Sequence, residues 1–384
     1  MRVAIKSGGV ARLRVRAAAV FAACADRRSR HGLIAAAAAS ALLPVLAGPA
    51  FAGCKPSRPK PPVILKDMGP CAFDRQSLSY RGEPVEQAMC LMRGMDSTRN
   101  LAPMLQGLPP PLAARIGRDG ELPAREALSA FLSKQDLEWD FAAYLWRPVS
   151  HANDNDPDAP SARYFVVHDT SGPNFGRRPF PADLDANAKL NNLNNFKCVD
   201  GWGRAHVVVN RSGAMLLSHD FAIPWRETKF ERAVNFAGAL KGLFLHVEMI
   251  QPRRSAGGRG RRNDMLTPNP AFTTAQYDRL ALLYVIASVR AEHWLVPAFH
   301  AAIDAGIRSG HDDPLNFNIE SFADSLQRLL DRLASGAESA EPPAGAEQTP
   351  APPAGADATT GPNSSAMSSP KAAAASDSRR PLPW

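Results

Sequence analysis

The sequence predicts an α/β fold, a mixed central β-sheet flanked by helices and preceded by a small helical region. Three observations point there. Tyr164–Val167 is an unbroken run of large apolar residues ending in His168, which suits a strand buried on both faces. Apolar runs flank Asn210-Arg211-Ser212-Gly213, the pattern of a hairpin, and Leu243–Met249 (LFLHVEM) repeats the buried-strand pattern. Thr273 and Gln276 then stand at capping-box spacing ahead of an apolar stripe of Leu280, Leu283 and Ala287. Strand, hairpin, strand, helix is the order of a mixed sheet with helices against it.

The ends of the chain carry targeting and tethering signals rather than fold. Basic residues from Arg2 to Arg30 lead into the apolar stretch Leu33–Leu46, which is too short to span a bilayer comfortably and contains Pro44. Ala50-Phe51-Ala52 fits a small-x-small cleavage site, so residues 1–52 read as a signal peptide and the mature protein as exported to the periplasm or cell envelope. Phe51-Ala52-Gly53-Cys54 also approximates a bacterial lipobox, with Phe51 where leucine is usual. A lipid on Cys54 therefore stays open as the one route to a membrane. Residues 53–66 are a Pro- and Lys-rich tether. From residue 335 to Trp384 the composition falls to Pro, Ala, Ser, Gly, Thr and Glu, which cannot bury enough apolar surface to order itself.

Between these ends, residues 67–149 read as a helical accessory region. Val85, Ala88, Met89 and Met92 fall at helical spacing, as do Ala124, Leu128 and Phe131. The polar stretch Ser150–Ala162 reads as a boundary, and 160–333 as the second, larger domain. Of the five cysteines, Cys71 and Cys90 lie close enough in sequence to pair in an oxidising compartment; Cys198 would be free, or paired with Cys54 if that carries no lipid.

The formal charge of +8 comes from two clusters, one in the leader and one at Arg253, Arg254, Arg259, Arg261 and Arg262. Basic residues are not spread along a folded face, so a nucleic-acid partner is not indicated. The Arg/Gly loop reads as a solvated segment or as a clamp on carboxylates.

Chemistry concentrates in two places. His168 ends a buried strand and so sits at the rim of a cleft. The stretch Pro297–Phe317 holds His300, Asp304, His311, Asp312 and Asp313. Two imidazoles and a carboxylate around Zn²⁺, with the fourth position open, form a known catalytic arrangement.

The pieces VVHDTSG, AHVVVNRSG, LHVEM, FTTAQYDRLALL and H…DDP…F, in that order, resemble the zinc-dependent N-acetylmuramoyl-L-alanine amidases of the peptidoglycan-recognition-protein type (amidase type 2). The resemblance runs from Arg163 to Phe322, under half the chain. It rests on the order of five motifs, none specific alone. It implies that His168, His300 and Asp313 hold Zn²⁺, that Glu248 is the catalytic carboxylate, and that peptidoglycan or muropeptides are the partner. Three departures accompany it. His300 and Asp313 are about three residues further apart than usual, Leu315 replaces a glycine, and His311 stands where many members have a lysine that steadies the oxyanion. The resemblance thus gives His311 that second catalytic role. His311 as the second metal ligand is the competing alignment.

His206 and His246 read as structural or at most substrate-lining, and His219 and His293 as ordinary surface or core residues. Asp169 and Asp304 read as caps or as partners of a ligand histidine. The rival function is a non-catalytic peptidoglycan-binding module of the same fold, favoured by the long His300–Asp313 interval.

Overall fold

The computed structural model describes residues 71–95, 100–118, 122–134, 144–197, 205–255 and 265–338. The leader, the tether with Cys54, Cys198, the centre of the Arg/Gly loop and the tail beyond Glu338 lie outside the described residues. Among the described residues no helix is long and apolar enough to cross a membrane.

The fold is α/β, built on a mixed five-stranded sheet. Strand β3 (Tyr164–Asp169) pairs in parallel with β6 (Phe244–Met249) on one side and β7 (Val296–Phe299) on the other. β4 (Val207–Val209) lies parallel to β6, and β5 (Met215–Leu217) closes the edge antiparallel to β4. Every residue of β3 and β6 is buried, as expected where both faces of a parallel sheet are covered. The β4–β5 connection is the expected hairpin. Asn210 closes it by accepting from Ser212 N and Ala214 N, and Gly213 takes a φ of 80° that a side chain would strain.

Alternation along β3 divides the molecule into two layers. Phe165 faces helix α4 (Thr274–Ala291), whose Tyr284 ring meets it edge-on at 5.3 Å. The Thr273–Gln276 capping box forms, and α4 is buried on nearly all sides because α6 (Ile319–Glu338) packs against it. Helix α6 covers residues 335–338, where the sequence suggested disorder. A helix already begun gains a backbone bond per added residue and needs no burial to continue.

Tyr164 faces the opposite layer. There it meets a small hairpin, β1 (Phe73–Asp74) and β2 (Ser79–Tyr80), and the helix α1 (Pro84–Leu91). Tyr164, Tyr80, Phe73, Phe230, Phe236 and Phe244 form a connected aromatic cluster under this face. Cys71 and Cys90 are joined by a disulfide that ties the hairpin to α1.

The described part of 67–149 includes α1, α2 (Pro110–Ala113) and α3 (Arg125–Ser133), and its side chains join the sheet's own hydrophobic core. Ser150–Ala162 is also integral: Ser150 is buried and donates from N to Phe221 O and from Oγ to Gly242 O. Polar composition there reflects side chains and backbone groups that satisfy turns inside the fold.

Candidate metal centre

The carboxyl ends of the parallel strands are where a ligand site is expected in an open α/β sheet, and the predicted residues converge there. His168 is the penultimate residue of β3. Glu248 lies directly opposite it on β6, so their side chains leave the same face. His300 follows β7 as the first residue of a short helix, α5 (His300–Ile303). Asp313 arrives on the loop after α5.

The additional residues between His300 and Asp313 are absorbed in tight turns. Asp304 N bonds to His300 O, Ile307 N to Asp304 O and Gly310 N to Ile307 O, and Ala301 N then reaches Asp313 O at 2.8 Å. The interval therefore returns the carboxylate to His300.

His168 Nδ1, His300 Nδ1 and Asp313 Oδ2 form a triangle with edges of 2.9, 3.2 and 3.6 Å. Tetrahedral donors bonded at about 2.0–2.1 Å stand roughly 3.3 Å apart. All three residues are buried, and the donor set of two imidazoles and a carboxylate suits a borderline metal such as zinc. This group can hold a metal ion. It is the one cluster of that kind among the described residues.

Each of the three side chains is backed by further polar groups. His300 Nε2 lies 3.2 Å from Asp304 Oδ2, while Asp304 also accepts from Phe230 N and His311 N. His168 Nε2 lies 3.0 Å from His246 Nδ1, and His246 Nε2 lies 3.3 Å from the buried Glu231. Asp313 Oδ2 accepts from Asp169 N. Asp169 in turn accepts from Leu315 N and forms a two-oxygen ion pair with Arg253 in which both side chains are fully buried. Gln251 Nε2 donates to Leu315 O, so the Asp313–Leu315 loop is pinned from both sides.

Charge follows this arrangement. Burial lowers the His168 pKa well below the ordinary histidine value, with the rings of His300 and His246 adding to it. Burial opposes an imidazolium at His300 too, but Asp313 and Asp304 outweigh it and hold its pKa well above the usual value. Burial likewise opposes the Asp313 charge, yet the neighbouring histidines, His300 first, keep its pKa well below the carboxylate range.

The structure brings together His168, His300, Asp313, Glu248 and His311. The His311 ring is half-exposed, stacks on His300 at 4.4 Å, and places Nδ1 3.4 Å from Asp313 Oδ1. It faces solvent beside the triangle, and the triangle is complete without it. Arg253 is committed to Asp169, which removes it from the clamp suggested for the Arg/Gly loop; residues 256–264 of that loop lie outside the described residues.

His206 and His246, read from the sequence as structural or at most substrate-lining, lie directly behind His168. Their rings stack on each other, and with His168, His300 and His311 they form an unbroken file of imidazoles from the interior to the surface. The signal available was His246-x-Glu248 on a strand, since period two puts both on the His168 face. Glu231 carried no such signal, because it comes from a loop.

Fold and site together define an α/β protein with a buried His/His/Asp cluster suited to a metal ion. No family model, no curated protein and no solved structure matches the chain.

Proposed function

We propose that the protein is a zinc-dependent hydrolase of the cell envelope that cleaves the amide between N-acetylmuramic acid and L-alanine in peptidoglycan. The observation that carries this reading is the His168–His300–Asp313 triangle with Glu248 placed across from His168 on the next strand. A bound zinc ion would acidify water and polarise an amide carbonyl. Glu248 takes the proton from the attacking water and delivers it to the leaving nitrogen as the C–N bond breaks. His311, on the solvent side, donates to the oxygen that gains charge. The choice of peptidoglycan as substrate rests on the resemblance of the five ordered motifs.

The rival reading, a binding module that has lost its metal site, drew on the long His300–Asp313 interval. That interval closes in the fold, so the feature no longer favours it. Purified protein incubated with murein sacculi separates the two. Release of free L-alanine amino termini, abolished by chelation and restored by zinc, is expected. Sacculi bound but never solubilised by zinc-loaded protein would overturn the enzymatic reading.

A further inference from the structure

We propose that His246 and Glu231 are positioning residues that fix the proton of His168 on Nε2 and so leave His168 Nδ1 bare for the metal. This deepens the metal-site reading and rests on it.

The argument is one of hydrogen-bond polarity. Glu231 is fully buried, and its Oε2 already accepts from Glu227 N, Thr228 N and Thr228 Oγ. Its other oxygen, Oε1, is left to face His246 Nε2 at 3.3 Å. A carboxylate only accepts, so the proton of a neutral His246 belongs on Nε2. Its Nδ1 is then an acceptor, 3.0 Å from His168 Nε2. That nitrogen must donate, and the remaining nitrogen of His168 is the one at the triangle.

The relay is locked into the fold at each link. The His246 ring stacks on the His206 ring and meets the His168 ring edge-on. His206 accepts from His246 N at its own Nδ1 and faces Ile223 O through Nε2, so it competes for neither nitrogen of His246. The same loop serves the other histidine: Phe230 N, next to Glu231, donates to Asp304, the carboxylate behind His300. One loop, 227–231, thus steadies the outer partners of both ligand rings.

The test is Glu231→Gln, which keeps size and shape. The three donors at Oε2 demand that the amide oxygen sit there, turning the amide NH₂ towards His246. Both imidazoles must then switch tautomer, and the His168 proton moves to Nδ1, into the metal position. Zinc affinity, read by competition with a chelator, is expected to fall about 10- to 100-fold. Long-range ¹H–¹⁵N spectra of the metal-free proteins are expected to show the His168 proton on Nε2 in the wild type and on Nδ1 in the variant. Unchanged affinity with unchanged proton placement overturns the relay, even if zinc binds the wild type. Should Glu231→Gln fail to fold, the wild-type spectrum decides: a proton on His168 Nδ1 overturns the proposal. A wild type that binds no zinc at all defeats the metal-site reading instead, so the two failures are distinct.

Discussion

His168 Nδ1 and His300 Nδ1 point at each other across 2.9 Å. Behind each ring the second nitrogen faces another polar group, His246 for His168 and Asp304 for His300. Two bare nitrogens so close would repel, so the gap must hold either a cation or a proton. In the metal-free fold the proton goes to His300, whose pKa is held up by Asp313 and Asp304. A metal ion therefore competes with a proton for this gap.

That competition sets a pH dependence. Because the folded pKa of His300 is raised, its contribution to metal-free stability is complete below about pH 6.5. It is lost as pH climbs through the raised value. Asp313, with a depressed pKa, contributes above about pH 3.9 and loses this as acid reaches its folded value. Thermal melts of metal-free protein should thus decline on the alkaline side, and zinc should suppress that decline. Apparent zinc affinity should rise with pH, with proton release measurable by calorimetry in buffers of differing ionisation enthalpy. Affinity that is flat with pH, without proton release, would contradict this account.

Removing a ligand should remove the metal. His168→Ala and His300→Ala are each expected to lose zinc under conditions where the wild type holds close to one ion per chain. His311→Ala should retain it, since His311 stands outside the triangle and its side chain is half-exposed. Elemental analysis of the three purified variants checks both statements. Loss of zinc with His311→Ala alone would support the competing alignment of this segment.

How far the site was legible in the sequence depended on what each residue's signal was. The strand ending at His168 and the Thr273–Gln276 cap were readable because apolar runs and capping-box spacing mark them directly, whereas Glu248 was singled out only by the resemblance. His300 and Asp313 depended on a loop whose closure is made by backbone bonds such as Ala301 N to Asp313 O, which leave no mark in composition. Glu231 and Arg253 were not readable as site residues at all. Their roles arise from contacts across 15 and 84 residues of chain, and a buried arginine in a Gly/Arg-rich stretch looks like a solvated one. The integral nature of Ser150–Ala162 was hidden for the same reason: a polar turn that meets buried carbonyls has the composition of a linker.

The Asp169–Arg253 pair should be costly to break. Both side chains are fully buried, and Asp169 also anchors Leu315 N beside the candidate metal ligand Asp313. Arg253→Met leaves the Asp169 charge without its partner, which for buried pairs costs about 3–5 kcal/mol. Chemical denaturation is expected to show a loss of that order, together with weaker zinc binding as the Asp313–Leu315 loop loosens. A variant as stable as wild type, with unchanged zinc affinity, would show that the pair does not hold the loop.

Glu248 offers the sharpest division between holding the metal and doing chemistry. It faces the same layer as His168 from the adjacent strand, yet it is not part of the Nδ1–Nδ1–Oδ2 triangle. Glu248→Gln keeps the shape of the side chain and removes its ability to take a proton. Zinc content and thermal stability should stay near wild type, while release of L-alanine amino termini from sacculi falls on the order of 10²- to 10⁴-fold. Saturation binding to sacculi should persist, since substrate contact does not require proton transfer. If amide cleavage survives in Glu248→Gln while His168→Ala abolishes it, another group is the base. The half-buried Glu227, whose pKa is raised chiefly by desolvation, is then the next carboxyl to replace.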